Sequence, residues 1–331
     1  MRSIIRLSSR LALSGLLSGL FAVAGLQHAS AQGFPNKPIK FVLPLNPGGL
    51  GDSLFRPAAE ALGVRLGTSI VVENRPGAGS VVGIDAVVRS AADGYTLLFT
   101  ASDGRGIIPS PVKLPYDPAK DLVPVVKMTQ AYSTFAVAKH VPVKTIQELI
   151  AYAKKNPGKL SFSSTGFATA THMNGELLKA RAGIDIVHVP YKGTTAAVTD
   201  AIAGRIDIIS TSPSVLRAFV ERGELRFVVM TSPTRDPSYP EVPTMIESGF
   251  PGFIVGSFFG VFAPSGVPRD VLQRLAKEIA AVAASDDFVA RSAKFGSVKS
   301  ISLLDDFAKD IATETTMWHT LVKEQKIRLA E

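Results

Sequence analysis

The stretch PIKFVLPLNPGGLGDSLFRPAAEALGVRL, residues 38–66, decides the fold class. Residues 38–44 form an apolar run of strand length. A turn rich in Gly and Pro follows, and residues 53–66 then carry apolar side chains at helical spacing. The same order recurs downstream, with residues 69–73 (SIVVE) as a strand, 81–90 as a helix and 95–100 (YTLLFT) as a strand. A polar, Pro-rich stretch at 109–124 interrupts it. Thr145 is a helix-capping residue type and opens a second series, whose first helix stops at Pro157-Gly158. The strands of that series are expected at 160–163, 186–189, 206–210 and 225–230. A second Pro/Gly-rich stretch covers 232–252, and the tail from 269 to 328 reads as mostly helical. Alternating strands and helices predict an α/β protein of mainly parallel sheets flanked by helices. Two such series, separated by Pro-rich crossings, predict two lobes.

Composition narrows the function. The chain has 331 residues, 46% hydrophobic and 19% charged, which is ordinary for a globular protein and long enough for about two domains. It has no cysteine, which excludes disulfides, thiolate nucleophiles and Cys-based metal or iron–sulfur sites. Residues 1–31 read as a secretory signal peptide: Arg2, Arg6 and Arg10 precede an apolar run, and Ala29-Ser30-Ala31 fits the small-x-small cleavage rule. An uncleaved anchor helix is the alternative, though a mostly apolar run of 16 residues at 11–26 falls short of the ~20 needed to span a bilayer. Cleavage removes three Arg and no acid, leaving 300 residues and lowering the net charge from +8 to +5. With no cysteine to lipidate, the product is expected to be soluble in the periplasm or medium; a monomer is expected. No basic run with interleaved aromatics points to nucleic acid, whereas a mildly basic balance suits small anions.

The catalytic motifs that would mark an enzyme do not occur. There is no G-x-S-x-G elbow, no H-E-x-x-H and no phosphate-binding G-x-x-x-x-G-K-[ST]. Residues 77–83 (GAGSVVG) miss the dinucleotide fingerprint by one position and read as a tight turn into a helix; no cofactor is expected. The positive signal lies in two strand-to-helix turns. In residues 44–52 (PLNPGGLGD), glycines let backbone N–H groups converge at a helix N-terminus, where partial positive charge favours an anion. A merely tight turn is the alternative. In residues 163–172 (SSTGFATATH), five hydroxyls surround one glycine at a helix start, and N-capping explains only one of them. Such turns, at the carboxyl ends of strands, are where open α/β sheets bind ligands.

Seven motifs then carry a resemblance: FPNKPI (34–39), PGG (47–49) with Asp52, VENRPGAG (72–79), DGYTLL (93–98), LPYDP (114–118), NPGKL (156–160) and VHVPYKG (187–193). In this order, across nearly all of the mature chain, they resemble the solute-binding proteins of tripartite tricarboxylate transporters, also called Bug receptors. The resemblance implies a two-lobed type II periplasmic-binding-protein fold, with lobe 1 from 33–132 plus 252–331 and lobe 2 from 133–251. The crossings near 128–136 and 252–262 would act as hinges, and the cleft between the lobes would close on a small organic carboxylate. The partners it implies are membrane transporter subunits.

Carried over residue by residue, the resemblance puts Pro47, Gly48, Gly49 and Asp52 on one jaw. Ser164, Thr165, Gly166 and Thr169 fall on the other, and Ser102 closes the third strand. His172 is either a ligand contact or a helix residue anchoring the jaw. Where the family commonly reads T-H-A-I-N-P, this chain has Gly104-Arg105-Gly106-Ile107-Ile108-Pro109, so Arg105 offers a fork for a second carboxylate; an exposed, solubilising Arg is the alternative. Thr211 stands where many relatives carry an acid, which argues against an amino-acid ligand. Phe167, with Phe258 or Phe259 from the return crossing, would cover an aliphatic or aromatic ligand body. The expected function is capture of a dicarboxylate for transport. A ligand-sensing partner of a membrane kinase would share fold and pocket, and a secreted α/β hydrolase using a Ser and His172 is the reading from a different class.

Overall fold

Two mixed sheets organise the chain in a computed structural model that describes residues 33–102, 109 and 113–329. The expected signal peptide and Arg105 lie outside the described residues. Strand β1 (Ile39–Leu43) buries every side chain but that of Lys40, and α1 (Leu50–Leu66) lays Leu54, Phe55, Ala58, Ala59, Leu62 and Leu66 against the sheet. Gly67 ends α1 at φ 67°, a left-handed cap that glycine adopts without steric cost. Next come β2 (Ile70–Asn74), α2 (Val81–Val88), β3 (Thr96–Ala101), the short α3 (Pro118–Asp121) and the long β4 (Leu122–Tyr132).

The second sheet is built from β5 (Thr134–Ala138), β6 (Ser161–Ser164), β7 (Val187–Pro190), β8 (Ile208–Thr211) and β9 (Leu225–Met230). Between them lie α4 (Ile146–Lys155), α5 (Ala170–Ala182), α6 (Thr194–Ile202) and α7 (Pro213–Glu221). The chain then returns through β10 (Gly256–Pro264), α8 (Arg269–Ala283), α9 (Asp286–Lys294), β11 (Ser297–Leu303) and α10 (Leu304–Gln325). The first sheet has the order β11-β4-β10-β3-β1-β2 and the second β7-β6-β8-β5-β9.

The α/β reading holds, but the sheets are mixed rather than mainly parallel. β1 runs parallel to β2 and β3, and β6 parallel to β7 and β8. β10 is antiparallel to β3 and β4, β11 to β4, and β5 to β8 and β9. The reason is that the crossing segments are themselves strands. Residues 122–138 carry Val125, Val126, Met128, Phe135 and Val137, all buried, and continue as β4 and β5 with only Ser133 between them. The helical tail likewise contains β11, an edge strand with Val298, Ile301 and Leu303 exposed. Aromatic rings fill the first core: Phe55 sits 4.8 Å from Phe41 and 4.3 Å from Phe99, and Phe99 lies 5.4 Å from Phe259.

Register fixes where the loops fall. β4 runs in the same sense as β1, β2 and β3, because both it and β3 are antiparallel to β10. Its carboxyl end therefore lies at the same edge as theirs. In the second sheet Thr134, the first residue of β5, pairs with Thr211, the last of β8. The carboxyl ends of β6, β7 and β8 therefore also face the Ser133 junction. That junction is knitted tightly. Thr231 accepts the Ser133 N–H at 2.9 Å through its hydroxyl and donates to the Val255 carbonyl at 2.6 Å. Asn174 of α5 donates to the hydroxyls of Ser133 (3.1 Å) and Ser210 (3.2 Å). Among the described residues no helix is long and apolar enough to cross a membrane.

Candidate functional site

The first cradle is the turn between β1 and α1. Gly49 occupies the N-cap position of α1 with no side chain capping it, so the N–H groups of Leu50, Gly51 and Asp52 have no intrahelical acceptor. Gly51 is required there: an added Cβ would fall 2.3 Å from Leu45 Cδ1 and 2.9 Å from Phe259 Cε1. Asp52 turns back into the loop instead of outward. Its buried carboxylate accepts from the Gly48 N–H, the Asn74 amide and Arg56 Nε, each at 2.9 Å. Asn74 also donates to the Leu45 carbonyl at 3.1 Å. Burial raises the Asp52 pKa, but the bonds from Arg56, Gly48 and Asn74 outweigh it and hold the group ionised below its ordinary value. The Gly48 and Gly49 N–H groups are thus spent internally, on Asp52 and on the Asn46 carbonyl, and Pro47 and Gly48 form the exposed tip. An anion at this turn would meet the first turn of α1.

The second cradle joins β6 to α5. Thr169 caps α5 by accepting the His172 N–H at 3.4 Å, and its hydroxyl donates to the Gly166 carbonyl at 2.7 Å. Thr171 accepts the Thr165 N–H at 2.9 Å, and Ser164 Oγ accepts the Gly166 N–H at 3.1 Å. The hydroxyls thus shape the loop, while the N–H groups of Ala170 and Thr171 in the first turn of α5 lack intrahelical acceptors. A notch of about 10 Å³, the size that holds one water, opens among Ser164, Thr165, Thr171 and Thr194. It links this cradle to the start of α6, where Gly193 leaves another uncapped N-terminus. The sequence reading passed over Thr194; the turn after VHVPYKG was the available signal.

Four rings stand behind this loop. His188 on β7 stacks on Phe162 at 5.0 Å, His172 on α5 stacks on His188 at 4.0 Å, and Phe167 lies edge-on to both imidazoles. His188 Nε2 is 2.6 Å from Ser164 Oγ, and His172 Nδ1 accepts the Ala168 N–H at 3.2 Å. Burial, followed by the His188 and Lys179 charges, pushes His172 down to about 4; burial, followed by Lys179, pushes His188 down to about 4.

The remaining expected residues separate. Ser102 is buried directly after β3, and Thr211 ends β8 beside the junction. Phe258 and Phe259 do not cover a cleft: both are core residues, Phe258 edge-on to Phe307 at 5.2 Å and Phe259 stacked on Phe99. The β10 pleat sends these two neighbours to opposite faces of the sheet, each into packed rings. Near Thr211, Ser212 and Ser214 approach Gly296 so closely that a Cβ on it would lie 2.6 and 2.5 Å from their hydroxyls.

Comparison with known proteins agrees with this architecture. Residues 54–327 match the model of the tripartite tricarboxylate transporter family receptor. Protein BugT of Bordetella pertussis is 34% identical over 319 residues, covering 94% of this chain and 97% of its own length. Among solved structures, R. palustris Rpa4515 with adipate is 29% identical with a TM-score of 0.71, covering 88% of this chain and 97% of that one. MatC (Rpa3494) from Rhodopseudomonas palustris with bound malate is 26% identical with a TM-score of 0.68, covering 87% of this chain and 100% of that one. With two α/β sheets meeting at one junction and a family match over most of its length, the chain belongs to the tripartite tricarboxylate transporter receptors, a family of periplasmic solute-binding proteins.

Proposed function

We propose that this receptor captures a small dicarboxylate with an aliphatic or aromatic body in the periplasm and delivers it to membrane subunits of its transporter. Lobe 1 (33–132 plus 252–331) and lobe 2 (133–251) would close on it about the crossings beside Ser133. One observation carries the reading. Both sheets direct the carboxyl ends of their parallel strands, with uncapped helix N-termini behind them, toward the same junction. Neutral N–H donors at such termini hold a carboxylate without a buried counter-charge. Asp52 shapes the first turn rather than facing the anion. Arg105 is assigned the second carboxylate, and Thr211, standing in place of an acid, argues against an amino-acid ligand. Adipate and malate, named with the two solved relatives, are both dicarboxylates. The hydrolase reading is disfavoured because His172, depressed to about 4 and accepting the Ala168 N–H at Nδ1, is too weak a base to take a hydroxyl proton near neutral pH.

The test is a thermal-shift screen of dicarboxylates, their monocarboxylate analogues, amino acids and sugars. A true ligand at ~100 times its Kd stabilises the fold by about 2.7 kcal/mol. Arg105→Ala is expected to weaken dicarboxylates by about 1.5–3 kcal/mol more than monocarboxylates, the contribution of a charge-assisted hydrogen bond. Binding of amino acids or sugars with no carboxylic acid bound would overturn the ligand class. An unchanged radius of gyration on confirmed binding would overturn closure.

A further inference from the structure

We infer that His172 and His188 are positioning residues for the second cradle and act as a neutral, stacked pair, each imidazole fixing one bend of the loop that presents the N–H donors. The inference rests on the proposed function for its binding readout, and its geometry stands apart from any ligand. The loop between β6 and α5 has two residues at positive φ, Gly166 at 126° and Ala168 at 55°. The second is unusual for a residue with a Cβ and needs support from its surroundings. Each bend has one imidazole behind it. Gly166 is held by Ser164 Oγ, which contacts both its N–H and its carbonyl at 3.1 Å, and Ser164 Oγ is in turn 2.6 Å from His188 Nε2. Ala168 is held directly, its N–H donating to His172 Nδ1 at 3.2 Å.

That last bond requires an unprotonated Nδ1, so the His172 ring is neutral in this arrangement. A proton there would set N–H against N–H. The rings lie 4.0 Å apart at 20°, with Phe162 stacked on His188 and Phe167 edge-on to both, so two cations could not share the stack. Among the described residues, the charged groups acting on the pair come from α5. Glu176 Oε1 is 3.9 Å from His172 Nε2 but is already paired with Lys179 at 3.0 Å. β6, β7 and the loop contribute only Ser, Thr, Phe and aliphatic side chains. Register makes the arrangement possible: Phe162 and His188 are direct partners across the parallel β6–β7 pair, and α5 folds back over them. The pair therefore belongs to the loop's geometry, one step behind the ligand.

The sign of the pH effect separates this role from direct ligation. A cationic imidazole gripping a carboxylate tightens binding as pH falls, whereas a neutral pair bracing the loop loosens it. The experiment measures adipate affinity for the full chain and four variants. His188→Phe and His172→Phe keep a ring in the stack and delete the polar contact. His188→Gln keeps an atom at the Nε2 position, and His172→Asn keeps an acceptor at the Nδ1 position. The expected result is about tenfold weaker binding in each Phe variant, the loss of one to two hydrogen bonds, with the Gln and Asn variants within about threefold of the parent by the same conversion. The ratio of parent to His172→Asn/His188→Gln double-variant affinity is expected to fall from pH 7 to pH 4.5, which cancels the titration of adipate itself. Phe variants that bind like the parent, losses that merely track lowered Tm in all four, or a ratio that rises with acidity would overturn the role. Should the parent bind no carboxylate, the proposed function fails while this inference is still read from amide exchange. The Gly166 N–H in His188→Phe and the Ala168 N–H in His172→Phe are expected to exchange faster while β5 and β6 amides stay protected. Unchanged exchange at both would overturn it.

Discussion

Asp52→Ala offers the sharpest measurement of how the first cradle is held. The carboxylate is 4% exposed and serves three donors from three parts of the chain: Gly48 in the turn, Arg56 one helical turn on, and Asn74 at the end of β2. These are unequal losses. The Arg56 side chain is 47% exposed and keeps its bond to Asn74 Oδ1, so losing its contact with Asp52 costs no more than an exposed ion pair contributes, about 0.2–1 kcal/mol. The Asn74 amide is half-buried and loses a charge-assisted bond contributing about 1.5–3 kcal/mol, while the exposed Gly48 N–H is largely recovered by water. Asp52→Ala is therefore expected to destabilise by about 2–4 kcal/mol, and Arg56→Ala by less than about 1 kcal/mol. At roughly 2 °C per kcal/mol for a chain this long, Tm should drop by about 4–8 °C in the first and no more than about 2 °C in the second. Adipate titration of Asp52→Ala should show weakened binding, because Gly48, at φ 72°, loses the acceptor that fixes its turn. Asp52 titrates below its ordinary value of 3.8, so its contribution is intact above pH 4 and fades only as pH falls through its folded value. If Arg56→Ala costs as much as Asp52→Ala, the exposed ion pair and not the loop brace carries the effect, and the reasoning fails.

Two further outcomes follow from the second sheet. His172 and His188 ordinarily titrate at 6.5 and sit at about 4 when folded, so the unfolded chain takes up protons first. Stability should be level above about pH 7, fall between 6.5 and 4, and level again below, by on the order of 3 kcal/mol for the buried His172. Urea midpoints at pH 7.5, 5.5 and 4.5 measure this, and a profile as steep in His172→Asn as in the parent would contradict the assignment. Gly175→Ala should lower Tm despite the ~1 kcal/mol better helix propensity of Ala, because its Cβ would lie 2.1 Å from Phe162 Cε2, directly under the His188 stack. Overpacking of that kind costs about 1–3 kcal/mol, and an unchanged or higher Tm would show that α5 lifts freely from β6.

What the sequence made legible is what is local. The run at 38–66 announced β1, the glycine turn and α1, because apolar periodicity and turn chemistry are written in adjacent residues. Thr145 announced its helix for the same reason, and its hydroxyl does accept the Glu148 N–H at 3.2 Å. The crossings were harder: β4 contains Pro124 and β10 begins at Gly256, residues that read as punctuation until pairing on both sides outweighs them. β11, with three Ser and a Lys, has no strand signal of its own beyond the partner that β4 provides. The cradles show the same division at finer scale. Their glycines and hydroxyls were visible as clusters, yet the atoms that shape them come from afar: Asn74 lies 22 residues past Asp52, and His188 lies 24 past Ser164. Both distances are one crossover between parallel neighbours, β1 to β2 and β6 to β7, so register alone decides which side chain arrives behind the loop. A motif scan sees the donors that would face a ligand. The groups that hold those donors in place are chosen by the sheet.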